Sequence, residues 1–153
     1  MSKLGDYEAR IIAALESIPE LAALRIRPCM WPEDAFVLNF SKQPEIYVCH
    51  LHSEKTGPGV ANTQKQIGRD RWAICSVSTS FASPVAAQTQ TGGTFELVEA
   101  IRKVQSISIG VPGARNEFLM WQSDTRAQAP SRSVTSGGSV GYVSEYHAPQ
   151  RFF

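Results

Sequence analysis

Apolar positions recur at helical spacing in two places along the chain; between and after them they alternate with polar ones, as in strands. In DYEARIIAALESIP, Tyr7, Ile11, Leu15 and Ile18 share one face with Ala14 beside them, which predicts a one-sided helix. Asp6 is the expected N-cap and Pro19 the stop. In TFELVEAIRKVQSI, Leu97, Ile101 and Val104 line one face, flanked by Phe95 and Val98. Thr94 is the expected cap there, and Glu99 and Lys103 stand in the order that stabilises a helix. Strand patterns fall at Leu24–Pro28, Glu45–Leu51 and Arg71–Phe81, then in NEFLMWQSDTRAQ and GSVGYVSEYHAPQRFF. CMWPEDAFVLNFSKQP, with prolines at 32 and 44, reads as a loop or short edge segment. SPVAAQTQTGG reads as a polar linker and APSRSVTSGG as a turn or loop.

The strand at 71–81 separates two faces. Ala73, Cys75, Val77, Thr79 and Phe81 point one way and are the expected core face. Trp72, Ile74, Ser76, Ser78 and Ser80 point the other way, a face suited to solvent or to a hydrated protein interface. Two one-sided helices and about five strands predict an α+β fold. The expected form is a two-layer α/β sandwich with a mixed or antiparallel sheet and both helices on one sheet face. A single domain spans 1–153. Residues 54–71, EKTGPGVANTQKQIGRDR, form a long hairpin arm, because strands at 45–51 and 71–81 are separated by far more than the usual hairpin loop of about 2–5 residues.

Composition narrows the function classes. A chain of 153 residues suits one core, and a net charge of +1 gives no general reason to expect nucleic acid or an anionic membrane as partner. No run of about 18 apolar residues is present, so no membrane span is expected. Acidic residues interrupt the apolar stretch of the N-terminus, unlike a secretory signal, which points to a cytoplasmic origin. Cys29, Cys49 and Cys75 lack a CxxC spacing and are read as reduced.

Candidate chemistry is sparse. In the arm, Lys55 and Thr56 precede the glycines and a strand follows, so a phosphate-binding P-loop, with its lysine after the glycines at a helix start, is not formed. Lys55, Lys65, Arg69 and Arg71 make the arm locally basic, which leaves a small nucleic-acid-binding module as an alternative reading. No aromatic is interleaved for base stacking, which counts against it. His50 and His52 stand two apart in CHLH, a spacing that puts both on one strand face and leaves a small metal enzyme or hydrolase to be weighed. Only His147 is left as a further histidine, so no metal site is expected. No serine sits in a GxSxG elbow, and Glu33 with Asp34 or Glu96 with Glu99 read as solvated surface. No catalytic residue and no cofactor is expected. The terminal Phe152 and Phe153 either fold back on the core or dock on a neighbour.

The element order carries a resemblance. DYEARIIAALESIPEL leads to a short strand, EIYVCHLHSE and RDRWAICSVSTSF flank a polar arm, and GTFELVEAIRKV precedes two closing strands. Trp72, Ile74 and Val77, then Gly93, Glu96, Leu97, Ala100, Ile101 and Arg102, form the local phrase that matches. Over roughly residues 4 to 148 the chain resembles the tail-completion proteins of long-tailed phages, including the Mu-like prophage tail family and, more remotely, the lambda gpU-type tail terminators. The resemblance implies a non-enzymatic virion protein that assembles in the host cytoplasm and resides in the tail. It would form a homo-oligomeric, typically hexameric ring on the tail tube protein and present a surface to head-completion or neck proteins. Lys55, Lys65, Arg69, Arg71, Trp72, Ile74, Phe152 and Phe153 are then the expected interface residues; a solvated basic loop is the alternative for the four cations.

Overall fold

The computed structural model describes residues 2–35, 43–57, 66–80, 84–128 and 138–153. Helix α1 covers Lys3–Glu16 and begins one turn earlier than expected. Ser2, not Asp6, is its N-cap: the Ser2 hydroxyl accepts from the Gly5 amide at 3.1 Å, satisfying one of the free amides of the first turn. Asp6 instead pairs with Arg10 one turn on, at 3.3 Å. Pro19 opens a 3₁₀ turn, Pro19–Leu21, and Leu24 leads into strand β1, Arg25–Pro28.

Strands β2, Glu45–Lys55, and β3, Ile67–Ser80, pair antiparallel out to Lys55 opposite Gly68. The two ends of the expected 54–71 arm are therefore regular sheet. Its tip residues 58–65, with Lys65 among them, lie outside the described residues. The stretch read as a polar linker holds a short helix, α2, Pro84–Thr89, with Ala87 and Gln88 buried. Helix α3, Thr94–Ile101, follows and tightens into a 3₁₀ turn at Arg102–Ser106. Gly93 rather than Thr94 holds its N-cap position. A side chain at 93 would meet the Ala87 and Gln88 carbonyls at 2.6 Å, so the close approach of α2 to α3 needs glycine. Lys103 pairs with Glu20, not with Glu99.

Strands β4, Met120–Gln128, and β5, Gly138–His147, close the sheet, and a two-residue β6, Arg151–Phe152, follows. The order is β1-β2-β3-β5-β4, with β6 pairing to the outer end of β3; β1 runs parallel to β2 and the other pairs are antiparallel. The result is a mixed sheet of six strands with helices packed on one face, the α+β two-layer arrangement the pattern predicts.

The main core lies between that sheet face and the helices. Ile11 and Leu15 from α1, Leu97 and Ile101 from α3, and Ile46, Trp72, Ile74 and Tyr146 from the sheet meet there. Each fully buried aliphatic side chain in it contributes roughly 1.5–3 kcal/mol. This reverses the expected roles of the two β3 faces. Trp72 and Ile74, expected at a subunit contact, are completely buried against the helices. Ser76 and Ser78 are also buried, on the part of that face where α2 and α3 pack. Ala73, Cys75 and Val77 face the other way into a smaller cluster with Ala35, Tyr47 and Cys49. A central strand bounded by β2 and β5 is covered on both faces, so alternation alone does not say which is the larger core.

Candidate functional site

The richest polar chemistry sits at the base of the β2–β3 hairpin, and a break in register creates it. His50 is opposite Trp72 and His52 is opposite Arg71, so Leu51 is an extra residue in β2. The bulge sends the two histidines to opposite faces. His50 lies on the Trp72 side, with its ring edge-on to that indole at 5.0 Å. His52 lies on the Arg71 side. The shared-face spacing that would make them paired metal ligands is thus undone. Among the described residues no group of three His, Cys, Asp or Glu is placed to hold a metal ion.

On the His50 side, Ser53, Asp70 and His50 converge. The Ser53 hydroxyl donates to Asp70 Oδ1, and His50 Nε2 lies 3.3 Å from Ser53 Oγ and 3.4 Å from Asp70 Oδ1. The residue types are those of a nucleophilic triad, but the connectivity is not. A triad needs the carboxylate on one ring nitrogen and the hydroxyl on the other, so that the imidazole can pass a proton. Here both partners face Nε2, and the serine bonds directly to the carboxylate. Asp70 is fully buried, and its other oxygen accepts from Arg151 Nε and Nη2 at 3.0 Å. The Asp70 carbonyl also accepts from the Ala148 amide at 2.9 Å. The cluster is a clamp: it fastens the C-terminal segment and β6 to β2 and β3.

On the opposite face Glu54 accepts from Arg69 Nε at 2.8 Å and Arg71 Nε at 2.9 Å. The two guanidinium donors hold its carboxyl down at about 2. Both arginines expected at a basic interface are therefore engaged by one carboxylate of their own hairpin, which weakens the case for nucleic acid. Lys55 is exposed at the end of β2. Nearby, burial and the charges of Arg69 and Arg71 push His147 below the usual imidazole range. The three cysteines are free, and Cys49 and Cys75 are buried in the smaller cluster with Cys29 packed against it.

β6 positions the last two residues. Phe152 is opposite Ile67, and the Phe153 amide donates to the Gln66 carbonyl. The Arg151 guanidinium stacks over the Phe153 ring, 4.3 Å from its centre. That ring packs on Gly68, where a Cβ would collide with it and lie 2.6 Å from the Glu54 carbonyl. Both phenylalanines stay about half exposed, 54% and 47%. Phe152 lines a groove of about 710 Å³ with Ile67, Phe118 and Met120. Trp121, the second residue of the edge strand β4, is also exposed, on the opposite sheet face beneath Arg102. Of the eight expected interface residues, Phe152 reaches the apolar groove, Phe153 packs on Gly68 with half its ring exposed, Trp72 and Ile74 are in the core, and Arg69 and Arg71 are paired. The apolar groove and the Asp70 clamp were both missed from the sequence. FLMW at 118–121, four large apolar residues at the start of an edge strand, was the available signal for the groove.

Among the described residues no helix is long and apolar enough to cross a membrane. No protein-family model matches the chain, and no curated protein matches it.

Proposed function

We propose that this chain is a non-enzymatic structural protein of a phage virion, a tail terminator or tail-completion protein. It closes as a homo-oligomeric ring, hexameric as in the family it resembles, on the last ring of the tail tube, and joins the tube to head-completion or neck proteins. It is assembled in the host cytoplasm and resides in the virion tail.

The observation that carries this role is the exposed apolar surface at one side of the sheet. Phe118, Met120 and Phe152 are each 40% or more exposed and line one groove with Ile67 where the start of β4 meets β6; Trp121 and Phe153, also exposed, lie on the opposite sheet face. Surfaces of that kind mark protein contacts far more often than they face water. The polar cluster at the hairpin base offers no competing chemistry, since its connectivity suits a clamp. The element order that carries the family resemblance supports the specific assignment.

The test uses tail tube protein of a long-tailed phage. Tubes are polymerised with and without purified chain, and their lengths are measured by electron microscopy with an affinity label on the chain. The expected result is short tubes labelled at one end. Unchanged length and no end label would refute the capping role.

A further inference from the structure

The groove has a complement elsewhere on the same molecule. Met30 and Trp31 are 74% and 61% exposed, at the head of the segment that follows β1. Their backbone is held by four hydrogen bonds. The Cys49 thiol donates to the Met30 carbonyl at 3.2 Å and the Cys29 thiol to the Trp31 carbonyl at 3.4 Å. The Trp31 amide donates to Asp34 Oδ2 at 3.2 Å, and the Asp34 amide returns to the Trp31 carbonyl at 3.0 Å. The backbone that presents these two apolar side chains as a knob is thus preformed, which lowers part of the ordering cost of docking.

The knob lies over β2, whereas the groove begins at β4 and β6. Three strand spacings separate β2 from β4 in the sheet, roughly 14 Å at about 4.8 Å each. Charge follows the same division. Glu33, exposed beside the knob, makes no ion pair among the described residues. On the groove rim Arg151 is engaged by Asp70, Glu117 keeps its charge while accepting from the Tyr7 hydroxyl, and Arg115 makes no ion pair among the described residues. An acidic knob thus has, elsewhere on the molecule, an apolar groove with a cation free to meet it at Arg115.

We propose that the Met30–Trp31 knob of one subunit seats in the Ile67–Phe118–Met120–Phe152 groove of a second copy, with Glu33 meeting Arg115 of that copy. The contact joins two different patches, so every subunit keeps one free knob and one free groove, and successive copies add head to tail until a ring closes. This rests on the ring-forming role proposed above and names the surfaces that make it. Trp31 is the anchor, as buried tryptophans at interface centres generally are.

The test is complementation between two exposed-site variants. Trp31→Ala keeps the groove and loses the knob; Met120→Asp keeps the knob and spoils the groove, and Phe152→Asp is a second groove variant. Circular dichroism checks that each is folded. By sedimentation velocity each variant alone requires at least about thirtyfold more protein to associate than the wild type, the size of effect expected of a hot-spot anchor. An equimolar mixture gives one-to-one dimers and stops there, because the dimer's remaining knob and groove are both disabled. Glu33→Arg weakens association, and adding Arg115→Glu in the same chain restores it. If the wild type forms rings but the variants do too, or the mixture stays monomeric, the proposed contact is wrong and the ring role stands. If the wild type is monomeric at every concentration and with tube protein, the contact and the ring role both fall.

Discussion

Arg151→Ala removes both nitrogens that reach Asp70 Oδ2 and leaves a fully buried carboxylate without its cation. Removing one member of a buried ion pair costs about 3–5 kcal/mol. Two features place this site at the low end of that range. The Ser53 hydroxyl still donates to Asp70, and the Arg151 side chain is 19% exposed, so its pair is not wholly cut off from water. A loss of about 3 kcal/mol follows, which for a chain of this size lowers Tm by roughly 6–12 °C. The stacking of Arg151 on Phe153 is lost as well, so β6 releases before the rest of the sheet. Urea unfolding gives the free energy, and hydrogen exchange at the Phe153 and Gly68 amides reports the release of β6. Asp70→Asn combined with Arg151→Met removes both charges and recovers most of the stability, because the cost lies in the stranded carboxylate. An Arg151→Ala protein within about 0.5 kcal/mol of the wild type, the range of ordinary surface changes, would refute the clamp.

Gly68→Val places a side chain where the Phe153 ring and the Glu54 carbonyl already stand; it costs about 1–3 kcal/mol and displaces the C-terminus, read by urea unfolding and by increased proteolysis after Gln150. Glu54, held near 2 by Arg69 and Arg71, contributes stability that is complete above the ordinary carboxylate pKa of 4.5 and is lost as pH falls from there toward 2. Glu54→Gln removes that part of the acid-unfolding curve, and an unchanged curve between those pH values contradicts the pairing. His147 is depressed below 6.5 in the fold, so the unfolded chain takes up the proton first; stability is full above 6.5 and declines as pH drops through the folded value. His147→Gln flattens the decline of Tm just below pH 6.5, and a slope equal to the wild type's shows the imidazole to be uninvolved.

Periodicity carried much of the fold. The spacing of Tyr7, Ile11 and Leu15, and that of Leu97, Ile101 and Val104, located α1 and the α3 segment because one-sided helices leave a stripe in sequence. Helix α2 left no stripe: it has six residues, and only Ala87 and Gln88 among its described side chains are buried. Missing it made Ser76 and Ser78 look wet and Trp72 and Ile74 look available, since with α2 absent that β3 face has no cover at its serine end. The bulge at Leu51 was equally invisible, because a single inserted residue preserves the polar composition while moving His52 to the other face. Asp70 and Arg151 come together only through the pairing of β6 with β3, across a separation that no local pattern reports. Phe152 and Phe153 were legible as an unresolved choice between folding back and docking; β6 pairing fixes their backbones while half of each ring stays exposed.

The most direct test of the ring-forming role is the mass of the wild-type chain in solution, measured by light scattering over a concentration series, alone and with tail tube protein of a long-tailed phage. A single closed species of about six chains, growing at the expense of monomer and not extending into filaments, is the predicted result, as expected for a head-to-tail contact that closes. A chain that stays monomeric at the highest concentration and remains so beside assembled tubes contradicts it.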